Sequence, residues 1–320
     1  MRLINGYWAT GVLAAAATHG LFTHLHHGAG TAGELAACSK MSPRGAQSLL
    51  DALVGIGLVE LHQGRYRNTP EAATYLIEDT PLSLAPFARL KLTHTGSLTG
   101  LADVIEAGGP LHEPVAEVAD NPHWENIVTA IAAQSVPAAH LAARLLNLPD
   151  AGPLNILDVG GGSGIYSRLW LQANPAARAT QLDWAPINTI ARRLIDEHGL
   201  GERFTTLNGD FHTTDFGTHH YDIAVYSHIA HQESPASNTE ILTRLKQALK
   251  PGGTLIINDY IVNNDRTGPP FALIFAAEML LKTRHGSTWQ RNDYHHWLHQ
   301  AGFTHITFHT TEPTTLILAR

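Results

Sequence analysis

Residues 155–164 read Asn-Ile-Leu-Asp-Val-Gly-Gly-Gly-Ser-Gly, an apolar run that breaks into glycines and is followed by a helical stretch, Tyr166–Ala173. A loop of this kind commits the chain around it to a strand–loop–helix unit. Glycines at 160, 162 and 164 let the backbone turn sharply and come close to a ligand, where a Cβ would clash. The spacing is Gly-x-Gly-x-Gly, and the place that the dinucleotide fingerprint reserves for a further glycine holds Ile165 or Ser167. That fingerprint is therefore not met.

Beyond the loop, short apolar runs and helical stretches alternate. Strands are expected at Asn155–Val159, Thr180–Asp183, Phe204–Asn208, Ile223–Tyr226 and Thr254–Asn258, with helices at Ile187–His198 and Asn238–Leu249 between them. Alternation of this type builds a parallel sheet with helices on both faces, and ligands bind outside the carboxyl ends of its strands. The last runs, Thr304–His309 and Thr315–Leu318, are close enough for an antiparallel hairpin at the sheet edge. Three successive strand ends carry suitable groups. After the glycine loop comes Asp183, 19 residues past Gly164, where a carboxylate can accept both ribose hydroxyls of a nucleoside. Then comes Gly209-Asp210-Phe211, where a carboxylate can take an adenine amine while the ring packs on the base.

The amino-terminal part is different. Helices are expected at Gly6–Thr18, at Ala32–Ala37 behind a Thr31/Glu34 capping box, and at Arg44–Val54 behind Ser42-Pro43. Two short runs, Leu58–Leu61 and Arg65–Asn68, then form a small hairpin, which completes a winged-helix order. Such a module often binds DNA. Here the cations on and near the third helix are only Arg44, Lys40, Arg65 and Arg67, and the net charge of the chain is −7, so no nucleic acid partner is expected and packing or dimerisation is the better use. The middle of the chain reads as helical, with Trp124–Leu148 its longest stretch and Pro137 expected to kink or split it. The domains expected are residues 1–80, a helical connector over 81–148, and a ligand-binding α/β domain over 149–320. The single cysteine, Cys38, excludes an internal disulfide. No apolar run is long enough to span a membrane, and Met1-Arg2-Leu3-Ile4-Asn5-Gly6 lacks a signal-peptide layout, so a cytoplasmic protein is expected.

With these residues in place, the sequence resembles the S-adenosylmethionine-dependent O-methyltransferases of the plant and bacterial small-molecule type, the acetylserotonin or caffeate type. The resemblance covers nearly the whole chain. It runs through the winged-helix region, Leu157–Gly164, Asp183, Gly209-Asp210-Phe211, Leu249-Lys250-Pro251-Gly252-Gly253, Arg266-Thr267-Gly268-Pro269-Pro270-Phe271, and Trp297-Leu298 with Ala301-Gly302-Phe303. It implies a class I methyltransferase fold, α/β with a Rossmann-like doubly wound sheet, behind a winged-helix dimerisation domain. It also implies S-adenosylmethionine as cofactor, a small aromatic acceptor and a homodimer formed through the amino-terminal domain. The cofactor contacts would be Asp158, Gly160, Gly162, Gly164, Asp183, Asp210 and Phe211, with Ser227 at the end of the fourth strand.

By the same resemblance the catalytic histidine falls in Tyr226-Ser227-His228-Ile229-Ala230-His231-Gln232, at His231, with His228 as the alternative. Histidine suits a base because its reference pKa of about 6.5 leaves it largely neutral at pH 7. Two departures stand out. Gln232 occupies the place where the plant pattern has an aspartate, and of the two acids that bracket the histidine only Asp259 is evident, since Gly286-Ser287-Thr288 offers no carboxylate. Asp259 would orient the imidazole as a triad acid does. The weakened bracket keeps two alternatives open, methylation of carbon or nitrogen and a reaction in which the sulfonium is only an electrostatic aid. A ligand-sensing winged-helix regulator is the non-enzymatic alternative. The acceptor pocket is expected from Phe271, Phe275 and Met279 on the helix Phe271–Lys282, with Trp124 and His228; subunit exchange of amino-terminal helices would bring in Tyr7 and Trp8. No metal is expected, since no His-Glu-x-x-His motif occurs and this family does not use a metal.

Overall fold

The computed structural model describes residues 3–114 and 117–320; Met1 and Arg2 of the amino-terminal reading lie outside them. Contacts divide the chain into two compact units, residues 1–99 with 126–134, and residues 100–125 with 135–320. The connector expected over 81–148 is thus shared between the two.

In the first unit, helices α1 (Gly6–Thr18), α2 (Leu21–His26), α3 (Ala32–Cys38) and α4 (Pro43–Gly55) precede a hairpin of β1 (Val59–His62) and β2 (Arg65–Asn68), and α5 (Pro70–Tyr75) and α6 (Ala85–His94) follow. The local signals are obeyed. Thr31 and Glu34 form the capping box, and Ser42 caps the start of α4 ahead of Pro43. Leu21, Phe22, Leu35, Leu50, Leu53 and Val59 fill the core. The two hairpin arginines are paired with acids, Arg65 with Glu34 at 2.9 Å and Arg67 with Glu60 at 3.1 Å. Their charge is thereby neutralised on the surface that a DNA-reading wing would need.

The second unit carries α7 (Leu101–Ala107) and the end of α8 (Trp124–Leu145), then β3 (Asn155–Val159), α9 (Ile165–Ala173), β4 (Arg178–Asp183), α10 (Ala185–Asp196), β5 (Phe204–Asn208), β6 (Tyr221–Ser227), α11 (Pro235–Ala248), β7 (Leu249–Asp259), α12 (Pro270–Lys282), α13 (Arg291–Gln300), β8 (Ile306–Thr310) and β9 (Thr315–Ala319). The seven strands lie in the order β5-β4-β3-β6-β7-β9-β8. The first five are parallel and β9 runs antiparallel to both neighbours, so the expected edge hairpin is present with its second strand inside. Strand order reverses between β3 and β4 on one side and β3 and β6 on the other, which is the switch point where such sheets take ligands.

Two local expectations are corrected. Pro137 does not split α8, which runs unbroken for 22 residues. Strand β7 begins at Leu249, where the helix was expected to end and five residues before the strand expected from Thr254, with Leu249 paired to Tyr221 across a register shift. No helix of the described residues is long and apolar enough to cross a membrane.

The core of this unit packs α11 and α13 on one face of the sheet. On the other side Trp170 of α9 is wholly buried, meets Tyr166 edge-on at 5.4 Å, and donates its indole N–H to the Ala139 carbonyl at 2.9 Å. Replacing Trp170 with Ala removes both the ring and the donor. We expect a loss of about 3–5 kcal/mol in unfolding free energy, read from urea titration of the variant against the parent.

Candidate active site

The glycine loop is held between two side chains. A Cβ on Gly161 would lie 2.6 Å from Gln181 Oε1, and one on Gly160 would lie 2.5 Å from Ile229 Cδ1. Gly160, Gly162 and Gly164 all have positive φ, so both space and backbone conformation call for glycine. Gln181 donates to the Gly162 carbonyl at 3.1 Å, while its buried Oε1 has no partner among the described residues.

Two acids stand beside this loop. Asp158, at the end of β3, is buried and accepts the Ser167 hydroxyl at 3.0 Å; burial pushes its carboxyl up to about 7. Asp183, at the end of β4, accepts the backbone N–H groups of Gly162 at 2.9 Å and Trp184 at 2.8 Å. Those bonds fix the carboxylate in the loop's mouth, and burial raises its pKa to about 6. Each oxygen keeps acceptor capacity for a hydroxyl. A glycine loop with three left-handed residues, crowded at Gly160 and Gly161 and set beside a fixed carboxylate, fits a nucleoside cofactor.

The third strand end is built differently from the expectation. Asp210 is half exposed, and its carboxylate already accepts the N–H of His212 at 2.8 Å and pairs with the ring Nδ1 at 2.6 Å. The other ring nitrogen of His212 meets Glu233 at 2.9 Å. The Glu233 hydrogen bond and the two acids raise the His212 pKa to about 9. Phe211 packs partly on the core with its ring 4.4 Å from that of His212. His212 was not singled out in the sequence, where it is one histidine among 21.

Between β6 and α11 the chain enters a short loop. His228 has a left-handed φ of +58° and its N–H donates to the Asn258 carbonyl at 2.8 Å. Its ring lies 3.1 Å from Asn258 Nδ2, and desolvation pulls its pKa down to about 4. The Asn258 amide also reaches Ser227 Oγ at 3.4 Å.

His231 is 5% exposed and is held from several sides. Its ring Nδ1 meets Asp259 Oδ1 at 2.6 Å, and its own backbone N–H donates to Asp259 Oδ2 at 3.1 Å. Asp259, at the end of β7, has no exposed surface and also accepts from the Tyr260 N–H at 2.8 Å and the Tyr294 hydroxyl at 3.2 Å. Burial alone would raise this carboxyl, yet the adjoining His231 charge and hydrogen bonds hold it below its ordinary range. An ionised Asp259 keeps the proton of His231 on Nδ1 and leaves the Nε2 lone pair to take a proton.

Of the expected acceptor residues, Phe275 meets the His231 ring edge-on at 5.1 Å, and Phe271 and Phe275 both pack on Tyr260, at 5.0 and 4.5 Å. Met279 is buried one turn further on the same face of α12. Trp124 packs on Trp184 at 5.7 Å, beside the Asp183 strand end, and donates its N–H to the Val118 carbonyl at 2.9 Å.

A seven-stranded sheet of this order, with a glycine loop at its switch point, is the class I methyltransferase fold. A family model described as the O-methyltransferase domain matches residues 137–304, and one described as the O-methyltransferase dimerisation domain matches residues 1–78. The chain is 30% identical to 3-hydroxy-5-methyl-1-naphthoate 3-O-methyltransferase of Streptomyces sahachiroi, over 95% of this chain and 88% of that one. It is 28% identical to the tetracenomycin polyketide synthesis 8-O-methyl transferase of Streptomyces glaucescens, over 100% and 95%. A crystal structure of an O-methyltransferase-type protein from Nostoc punctiforme superposes with a TM-score of 0.89 at 27% identity, covering 99% of this chain and 97% of that one. The chain belongs to the S-adenosylmethionine-dependent O-methyltransferase family.

The segment where the second bracketing acid was sought has another task. Ser287 donates its N–H to the His231 carbonyl at 2.9 Å, and a Cβ on Gly286 would lie 2.4 Å from that carbonyl oxygen and 3.0 Å from Gln232 Cα. Both are backbone atoms and cannot swing aside. Gly286→Ala is expected to displace the His231 loop and lower methyl transfer at least tenfold, while S-adenosylhomocysteine affinity, measured calorimetrically, stays within about twofold.

Proposed function

We propose that the chain transfers the methyl group of S-adenosylmethionine to a hydroxyl of a small aromatic or polyketide-like natural product, with His231 as general base and Asp259 as its orienting acid. The observation that carries this reading is the buried His231–Asp259 couple, 2.6 Å from nitrogen to oxygen, walled on one side by Phe275. The relatives acting on a naphthoate and on a tetracenomycin intermediate support a fused aromatic acceptor.

S-Adenosylmethionine supplies an electrophilic methyl group on a sulfonium. Asp183 would hold the ribose hydroxyls and Gly160–Gly164 the methionine end of the cofactor, with Asp158 and Ser227 beside them. Asp210 and Phe211 would hold the adenine, with His212 fixing the Asp210 carboxylate. Phe271, Phe275 and Met279 keep the acceptor ring flat and exclude water. His231 removes the acceptor's hydroxyl proton at Nε2, and the imidazolium that forms is stabilised by Asp259. Gln232 and the absent second acid leave His231 with a single orienting partner, which suffices for an acidic phenol. The match of residues 1–78 to the dimerisation domain supports a homodimer built through the first unit. A cytoplasmic enzyme fits the single cysteine.

Calorimetric titration with S-adenosylmethionine and S-adenosylhomocysteine is expected to give micromolar binding of both; no binding of either would remove the cofactor and the reaction with it. Affinity for S-adenosylhomocysteine should fall as pH drops through 6, because Asp183 takes up a proton there and loses the charge that ribose hydroxyls bind. Asp183→Asn should bind weakly with that pH dependence removed. His231→Ala should lower turnover by roughly 10²–10⁴-fold with cofactor affinity intact, measured by mass analysis of the O-methylated product.

A further inference from the structure

Methyl transfer uses His231 and Asp259 as a pair, but the fold brings a third ligand-bearing side chain to the same spot. His228, His231 and Asp259 each offer one ligand atom, and these atoms lie within 4.8 Å of one another. Two imidazoles and one carboxylate form a donor set suited to borderline-soft transition ions and poor for magnesium or calcium, which seek oxygen. Zinc bonds of roughly 2.0–2.2 Å place donors about 3–4 Å apart, so donors at the 4.8 Å limit close by about 1–2 Å and the His231–Asp259 pair, now at 2.6 Å, opens by about 1 Å to share one ion.

We propose that His228, His231 and Asp259 form a binding site for a divalent transition ion of the zinc type, and that the bound ion halts methyl transfer. The inhibitory half rests on His231 being the base, since an ion on Nδ1, the nitrogen that faces Asp259, sends the ring proton to Nε2 and leaves no lone pair there for the acceptor's proton. Three observations favour a built site. His231 and Asp259 are almost wholly buried, so the carboxylate charge is little screened by water. His228 is held in a left-handed backbone conformation by its bond to the Asn258 carbonyl, a conformation a histidine rarely adopts. Asn258 Oδ1, wholly buried beside that ring, has no hydrogen-bond partner among the described residues. Turned over, the amide accepts a ring N–H, the support on which a metal-bound imidazole draws.

Cobalt(II) is the probe that tests this. Titration of the purified protein with cobalt chloride should give a saturable visible spectrum of one bound equivalent in a four- or five-coordinate site, and zinc should bleach it. His228→Gln keeps an amide to bond Asn258 yet removes an imidazole, and should weaken cobalt binding at least tenfold; Asp259→Asn should do the same. Absence of a saturable spectrum overturns the site. So does a spectrum unchanged in both variants, which would place the ion on surface histidines such as the stacked pair His295 and His299. S-Adenosylhomocysteine titrated into the same samples reports folding and the cofactor site separately, so failure of the functional reading registers there and not in the cobalt spectrum. Zinc that occupies the triad but leaves turnover unchanged overturns the inhibitory half.

Discussion

A carboxylate with no surface in water has to be answered by donors from the chain, and Asp259 collects four of them: the backbone and ring N–H groups of His231, the Tyr260 N–H and the Tyr294 hydroxyl. Removing a charge from water costs several kcal/mol, and only good geometry offsets it. Much of the catalytic edge is arranged to supply that geometry. β7 delivers the acid, the loop after β6 folds back over it, α13 contributes a buried tyrosine, and Ser287 clamps the His231 carbonyl from a further segment. The couple is therefore oriented before any acceptor arrives, which is where most of the advantage of an in-line displacement enzyme lies.

The cofactor half follows a complementary logic. There the donors are backbone N–H groups and the acids are only partly neutralised. Asp183 is pinned by two amides, and its raised pKa shows that two hydrogen bonds do not fully replace water. A ligand that brings hydroxyl donors relieves this deficit, so the site gains affinity from correcting its own desolvation. Gln181 performs the same role in smaller measure, with one amide group tied to the Gly162 carbonyl and the other atom left without a partner. Ile229 joins the two halves. It belongs to the loop that carries His231 and fills the space that the missing Cβ of Gly160 leaves.

Much of the fold was legible in the sequence because its signals are local. The capping box at Thr31, the proline that opens α4 and the strand–glycine–helix unit at 155–164 depend on residues within a turn of one another. The split expected at Pro137 did not occur, since the helix continues across the missing N–H. Tyr294 and His212 gave no signal at all, since a tyrosine 35 residues from Asp259 and a histidine in a histidine-rich chain look like any others.

The sequence by itself determined the alternation that yields a parallel sheet, the glycine loop at its switch point, and the acids that end three of its strands. These follow from periodicity and from the intrinsic freedom of glycine, which act over a few residues. Only the tertiary structure decided which histidine is backed by a buried carboxylate and which by an amide. His228 and His231 are three residues apart and chemically identical; Asp259 and Asn258 are adjacent on β7 and face opposite sides of the strand. The pairing of strands β6 and β7 assigns one partner to each ring, a carboxylate to His231 and an amide to His228, whose pKa desolvation pulls down.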